Sequence, residues 1–176
     1  MGGASKAAIA ALAVGLVSLS ARADDDAPPI GDPGPPGTND AECTPVRAPI
    51  VTDFFVDGCD SLFGICTAGT ISSGPLAGTT RFSVTSIDTV SSPDSTGYTG
   101  VLVITTAQGT VTIHDKGSLS NRDGTFFEID EIVGGTDLFA DAAGTLFSAG
   151  GSTPTGFDGW IYGQVCRLPA SGQPTN

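Results

Sequence analysis

The residues of this sequence best suited to chemistry are carboxylates that fall within apolar runs. Asp88, Asp115 and Glu131 each follow large apolar residues at alternate positions of a predicted strand. Alternate residues of a strand share a face, so these three side chains are predicted to face an apolar interior. A carboxyl group buried there has a raised pKa and can act as a general acid or base, or polarise a bound ligand. The competing interpretation leaves Asp88 and Asp115 in water at strand ends and satisfies Glu131 by a hydrogen bond at the rim of the barrel.

Glu131 is the strongest candidate for a catalytic residue, and its role depends on which face of one strand points inward. One face of that strand carries two neighbouring carboxylates, Glu128 and Asp130. Burying two carboxylates costs more than burying one, which predicts that this face is exposed to solvent. Glu131 is then expected to point inward with Phe127 and Ile129, and we predict that both apolar residues line a ligand site.

Aromatic residues with a polar tip suggest a cavity mouth. Trp160 and Tyr162 share a face of the last predicted strand, and Tyr98 lies near the start of another. Such side chains either line a cavity with the polar tip in water or cap a core. Trp160 and Tyr162 are therefore candidate ligand contacts. The only histidine, His114, alternates with threonines toward solvent, and no Gly-x-Ser-x-Gly motif accompanies it, so a Ser-His-Asp triad is not predicted.

The elements that must position these residues are short strands. β-branched and aromatic runs alternate with glycine-rich turns, and no helical period is present. The turn Asn121-Arg122-Asp123-Gly124 is typical of a hairpin tip. Eight strands without room for crossover helices pair antiparallel, and closure removes the exposed edges, so a closed antiparallel eight-stranded β-barrel is predicted. A β-sandwich is the alternative. The strands are predicted at 47–57, 66–73, 79–90, 97–106, 109–116, 124–133, 143–150 and 156–167.

One stretch of the chain resembles a known family. Its segments IVGGT (132–136), LFA (138–140) and AAGTL (142–146) resemble the strand–corner–strand signature of the allene oxide cyclase and dirigent barrels. Asp137 stands where the signature has a glycine, and aspartate tolerates left-handed geometry better than most residues. The resemblance implies a tight corner, with Phe139 as a plug at the end of the barrel.

The resemblance also implies an apolar cavity that holds a flexible, oxygenated hydrocarbon. One fold hosts many functions, so three hypotheses stay open. The first is a non-catalytic barrel that binds a small apolar ligand or serves a surface role. The second is an isomerase or cyclase that uses Glu131. The third is an extracellular protein-interaction module. No phosphate-binding loop, Rossmann glycine fingerprint or calcium loop is present in the sequence, and no cofactor is expected.

Four cysteines predict two disulfides in an oxidising compartment. Three pairings are possible. Cys59 and Cys66 enclose a short loop and form the favoured first pair, which leaves Cys43 to meet Cys166 and to tie the first strand to the last. A zinc site is the competing interpretation, but the single histidine and the absence of a Cys-x-x-Cys motif argue against a metal site.

Composition divides the chain into four parts. Residues 1–23 combine one cation before an apolar run with a small-x-small cleavage site, which predicts a signal peptide rather than a membrane span. Residues 24–42 predict a disordered acidic leader rich in proline and glycine. The barrel domain is expected at 43–168, followed by a polar tail at 169–176. The predicted location is extracytoplasmic, either secreted or periplasmic.

The net charge narrows the possible partners. Without Lys6 and Arg22 of the predicted signal peptide, five cations face 19 acids, a net charge of −14. A chain this acidic repels phosphate backbones and anionic lipid surfaces, so nucleic acid is not an expected partner. A small hydrophobic ligand is the expected partner, and the sequence leaves the oligomeric state open.

Overall fold

The computed structural model describes residues 42–90 and 92–167, which form eight antiparallel strands and one short 3-10 helix. Each strand pairs with its neighbours in the sequence, and the first strand also pairs with the last, which closes a barrel. The predicted eight-stranded antiparallel barrel is confirmed. The strands are β1 (Glu42–Phe55), β2 (Cys66–Ile71), β3 (Gly78–Asp88), β4 (Ser95–Thr106), β5 (Gly109–Ser120), β6 (Thr125–Gly135), β7 (Ala142–Ser152) and β8 (Gly156–Arg167).

Several expectations concern parts of the chain outside the described residues. The predicted signal peptide at 1–23 and polar tail at 169–176 lie there, as does all but the last residue of the predicted leader. That last residue, Glu42, is the first residue of β1. Within residues 42–90 and 92–167, no helix is long and apolar enough to cross a membrane.

Buried aliphatic side chains fill the barrel at the end where β6 finishes. Strand alternation sends them inward from β1, β4, β5, β6, β7 and β8, where they pack around Phe139. Phe139 belongs to the 3-10 helix Asp137–Phe139 and is only 2% exposed, as expected for a plug. The core cluster comprises Val46, Ala48, Ile50, Ile71, Leu76, Leu102, Ile104, Val111, Ile113, Ile132, Phe139, Ala142, Leu146, Ile161 and Val165.

The corner between β6 and β7 has the geometry that its sequence predicts. Asp137 adopts φ of 52°, the only positive φ outside glycine in the described residues. Its carboxylate accepts a hydrogen bond of 2.9 Å from the Thr136 hydroxyl. The Thr136 amide donates to the Thr110 carbonyl at 3.0 Å, which holds the corner against β5. The left-handed position therefore tolerates aspartate in place of glycine.

A β-bulge in β3 changes which residues of that strand point inward. The pairing register with β4 shifts between Val84 and Ser86, so the alternation inverts beyond Val84. Ile87 consequently lines the lumen, and Asp88 is exposed. The Asp88 carboxylate accepts a hydrogen bond of 2.9 Å from the Val90 amide at the end of the strand. The prediction that Asp88 shares the inward face of Val84 is wrong, because the sequence pattern gives no sign of the bulge.

Both favoured disulfides are present. Cys43 pairs with Cys166 directly across the β1–β8 seam, and Cys59 pairs with Cys66 at the start of β2. The first disulfide joins the two strands that close the barrel, as predicted. No cysteine of the described residues is free.

Candidate functional site

The barrel is hollow at the end where β6 begins. A cavity of about 130 Å³, partly open to solvent, lies between the packed core and that rim. Glu128 and Phe126 line the cavity, whereas Ile132 further along β6 belongs to the core. The walls are predominantly apolar. Their apolar residues are Ile50, Ile65, Phe82, Val84, Ile87, Leu102, Leu119, Phe126 and Phe157.

The predicted facing of β6 is wrong. Glu131 is exposed on the outside of the barrel, and Phe127 and Ile129 are exposed there with it, at 47% and 45%. The opposite face points inward, with Asp130 fully buried and the Glu128 carboxyl in the cavity wall. Glu131, Phe127 and Ile129 therefore do not line the lumen.

The inward face of β6 could not be predicted from alternation, because large apolar residues occupy both of its faces. On the outside, Phe127 stacks on Phe147 with ring centroids 6.2 Å apart, and Phe147 stacks on Tyr162 at 6.4 Å. This exterior packing accounts for apolar residues that the alternation predicts to be inside. On the inside, hydrogen bonds offset part of the cost of burying Glu128 and Asp130.

Trp160 and Tyr162 also lie on the outer surface, at 49% and 39% exposure. The guanidinium of Arg47 lies 5.7 Å from the centroid of the Trp160 ring, a distance typical of a cation–π contact. Ile161, between the two aromatic residues, is fully buried in the core. The prediction that Trp160 and Tyr162 contact a ligand in the lumen is therefore wrong.

Asp115 faces the lumen, as predicted, and two unexpected carboxyl groups join it. Asp115 on β5 pairs directly with Asp130 on β6. Glu128 lies two residues before Asp130, on the same face of β6. Each of the three residues offers an oxygen that lies within 4.8 Å of the other two. We call Asp115, Glu128 and Asp130 the carboxyl cluster. Asp115 and Glu128 line the cavity, and Asp130 lies behind them.

Two hydroxyl groups hold the carboxyl cluster in place. The Tyr98 hydroxyl donates to Glu128 Oε1 at 2.6 Å, and the Ser148 hydroxyl donates to Asp130 Oδ2 at 2.7 Å. No donor reaches Asp115 Oδ1 or Asp130 Oδ1 from the described residues when both groups are ionised. A proton on Asp115 provides a hydrogen bond to Asp130 across the strand pair. The cluster therefore needs a proton or another donor to be satisfied.

Burial raises the pKa of every member of the cluster, and repulsion between carboxylates adds to the rise for Asp115 and Glu128. Burial, followed by the charges of Glu128 and Asp130, raises the pKa of Asp115 to about 10. Burial and the charge of Asp130 raise the pKa of Glu128 to about 8, against a smaller opposing effect of the Tyr98 hydrogen bond. Burial raises the pKa of Asp130, while hydrogen bonds from Ser148 and Asp115 oppose that rise. At neutral pH, Asp115 and Glu128 consequently hold protons.

The cluster has two chemical capabilities. Protonated Asp115 is a hydrogen-bond donor and a possible general acid beside an apolar cavity. The three oxygens can also receive a cation, since carboxylates are the ligands that hard metal ions prefer and good acceptors for an ammonium group. None of the Lys, Arg or His side chains in residues 42–90 and 92–167 lines the cavity. A cation at the cluster would therefore come from a ligand.

Sequence reasoning missed Glu128, Asp130 and the hydrogen-bonding role of Tyr98, although one signal was available. The hairpin tip at 121–124 sets the register of β5 against β6, which places Asp115 opposite Asp130. Residues directly opposite each other in an antiparallel pair point to the same face. Because Asp115 is predicted to point inward, Asp130 is then expected to point inward as well.

Comparison of the chain with protein-family models, with curated proteins and with solved structures finds no match.

Proposed function

We propose that this chain is an exported, non-catalytic β-barrel of the allene oxide cyclase or dirigent type, which binds a small, mainly apolar ligand in its lumen. The observation that carries the proposal is the half-hollow barrel, with predominantly apolar walls around about 130 Å³ and the carboxyl cluster among the few polar groups that line it. An apolar cavity of roughly 150 Å³ holds a benzene molecule. The ligand, or the part of it inside the barrel, is accordingly about the size of one aromatic ring.

The two disulfides support the exported location. Cys43–Cys166 and Cys59–Cys66 both need an oxidising compartment to persist. The predicted signal peptide at 1–23 would direct the export. When the full-length chain is expressed in its own host, we expect it to be exported and to lose residues 1–23.

Calorimetric titration with benzyl alcohol, a neutral probe the size of one ring, tests the proposal. Ile87 lines the cavity on β3, and Ile129 has the same side chain on the outer surface. We expect one probe molecule per barrel. We also expect Ile87→Trp to weaken binding at least about tenfold by occupying the cavity, and Ile129→Trp to leave binding unchanged. Absence of binding, or loss of binding only in Ile129→Trp, would contradict a lumen site.

One observation favours an isomerase or cyclase as a second candidate. Asp115 holds a proton at neutral pH beside the cavity, as a general acid requires. Asp115, with Glu128 and Tyr98, would replace Glu131 in the catalytic role. The small cavity favours ligand binding over turnover of a long flexible substrate. An enzyme would lose turnover in Asp115→Asn while still binding a neutral ligand, whereas a binding protein has no turnover to lose.

A further inference from the structure

We propose that the ligand of the lumen carries a primary ammonium group, which binds to the carboxyl cluster while its apolar body occupies the cavity. This inference rests on the proposed function and adds the chemical class of the ligand. The first observation is an excess of acidic groups at the cavity. Three carboxyl groups meet at one side of an apolar cavity, and no cationic side chain of the described residues lines that cavity.

An unsatisfied buried atom points to a missing donor. Asp115 is 4% exposed, lines the cavity and has no donor at Oδ1, and the fully buried Asp130 has none at Oδ1 either. Buried carboxylate oxygens are costly without a donor. A proton on Asp115 that is donated to Asp130 satisfies them. A ligand that brings its own donors can replace that proton and gain charge-assisted hydrogen bonds.

The oxygens of the cluster lie close enough together for one ammonium nitrogen to reach more than one of them. Two acceptors that each lie about 2.8 Å from one tetrahedral nitrogen are up to about 4.6 Å apart. The three oxygens of the cluster all lie within 4.8 Å of one another. An –NH₃⁺ group has three donors and no acceptor, so it can donate to Asp115 and Glu128 at the cavity wall, while the charge of Asp130 lies directly behind them.

The walls of the cavity favour an organic cation over a bare metal ion. Calcium takes six to eight oxygen ligands, and magnesium retains several waters. Besides Asp115 and Glu128, the polar residues of the wall are Tyr98, Asp158 and three threonines, while the wall is otherwise apolar, with Phe82, Leu119 and Phe126 among its side chains. These aromatic and aliphatic side chains cannot complete a metal's coordination shell. They do match the apolar body of a small amine.

Benzylamine and benzyl alcohol form a matched pair that isolates the ammonium group. Both are titrated by calorimetry into the full-length chain with both disulfides formed, at about pH 7.5. We expect benzylamine to bind at least about tenfold more tightly than benzyl alcohol. Glu128→Gln and Asp115→Asn should each remove that preference. Glu131→Gln removes the same charge from the outer face of β6 and should preserve the preference. Unchanged benzyl alcohol binding shows that each variant is folded with an open cavity.

Competition with protons provides a second readout. The groups that face the ammonium are Tyr98 from β4, Asp115 from β5, Glu128 and Asp130 from β6, and Asp158 from β8 at the cavity wall. Because Asp115 and Glu128 hold protons at neutral pH, ammonium binding should release protons. The benzylamine affinity should therefore increase from about pH 6 to about pH 9, while benzyl alcohol affinity should not.

The outcomes separate the two proposals. If both probes bind wild type equally and Glu128→Gln changes neither affinity, the ammonium inference is wrong and the lumen site stands. If neither probe binds, the lumen site fails and the inference fails with it. If CaCl₂ saturates the cluster and excludes benzylamine, the cluster is a metal site and the ammonium inference is overturned.

Discussion

At the scale of single residues, the unusual feature is the burial of three carboxyl groups with no cationic side chain of the described residues paired to them. Isolated ionised carboxylates in a low-dielectric interior cost several kcal/mol each, so such groups become neutral instead. Here the protons held by Asp115 and Glu128 reduce the charge, and Tyr98 and Ser148 supply donors. The cluster is therefore compatible with a folded barrel, but it makes stability depend on pH.

Stability should decrease as pH increases above the ordinary range of an aspartate. The pKa of Asp115 rises from 3.8 to about 10 on folding, so between those values the folded chain binds a proton that the unfolded chain has released. The free energy of unfolding then falls by up to about 1.4 kcal/mol per pH unit for this group. Urea unfolding at several values between pH 5 and about pH 9 measures the slope.

Two variants distinguish this effect from the general repulsion within an acidic chain. Asp115→Asn removes the titrating group but can still donate to Asp130, so its stability should depend less steeply on pH than that of wild type. Glu131→Gln removes an exposed carboxylate of β6 and should leave the wild-type slope unchanged. Equal slopes for wild type and Asp115→Asn would show that Asp115 is ionised in the folded state at neutral pH.

The candidate site was predictable from the sequence only in part. Asp115 could be placed inward because Val111 and Ile113 precede it on the same apolar face. Glu131 was placed inward by the rule that neighbouring carboxylates avoid burial, and that rule fails where protons and hydroxyl donors compensate. Which carboxylates can share protons depends on contacts across strands, which a single strand's pattern does not contain.

At the scale of elements, Tyr98 reaches Glu128 only because β5 provides a glycine opposite it. Tyr98 on β4 pairs directly with Gly117 on β5, and its ring lies over the glycine. A methyl group at Gly117 would lie 2.6 Å from the Tyr98 hydroxyl oxygen. The absence of a side chain at this strand position therefore allows the phenol to cross to β6.

Gly117→Ala should displace the Tyr98 ring and break its hydrogen bond to Glu128. We expect a loss of about 1–3 kcal/mol in the free energy of unfolding, since a buried acceptor loses its donor. Gly151→Ala on β7 is the control, because a methyl group there meets nothing within 4 Å. In a Tyr98→Phe background, Gly117→Ala should cost less than in wild type. An equal cost in both backgrounds would indicate that Gly117 acts on something other than this hydrogen bond.

All eight strands could be predicted because their β-branched and aromatic runs are separated by glycine-rich turns. Their ends were less predictable. The first strand is predicted to begin at 47, and Pro45 discourages an earlier start, yet β1 begins at Glu42 and Pro45 pairs with Gln164 of β8. The bulge between Val84 and Ser86 has no sequence signal, and it alone reverses the facing of Asp88. Local patterns predict the existence of strands, whereas closure and bulges depend on neighbouring strands.

At the scale of the whole molecule, the barrel combines a packed half with a hollow half. Phe139 and the aliphatic core stabilise one end, which leaves the other end free to hold a cavity. The seam between β1 and β8 joins the first strand to the last, and the Cys43–Cys166 disulfide crosses it. Both the packed half and the hollow half of the barrel therefore depend on an intact seam.

Removal of the seam disulfide should cost more stability than removal of the loop disulfide. Cys43 and Cys166 are separated by 123 positions, and Cys59 and Cys66 by 7. The loop-entropy model gives about 4.7 kcal/mol for a loop of roughly 100 residues and about 2.5 kcal/mol for one of roughly eight. Denaturant unfolding of the paired Cys43→Ser/Cys166→Ser and Cys59→Ser/Cys66→Ser variants compares the two. A larger loss for the loop pair would contradict this order.

The protonation of Asp115 at neutral pH tests the inward carboxyl cluster most directly. Carbon-13 NMR of the side-chain carboxyl groups, assigned with the Asp115→Asn variant, follows this proton as pH is changed. We expect Asp115 to carry its proton at pH 7 and to release it near pH 10. Release of that proton below about pH 5, as for an aspartate in water, would contradict a buried cluster at the cavity wall.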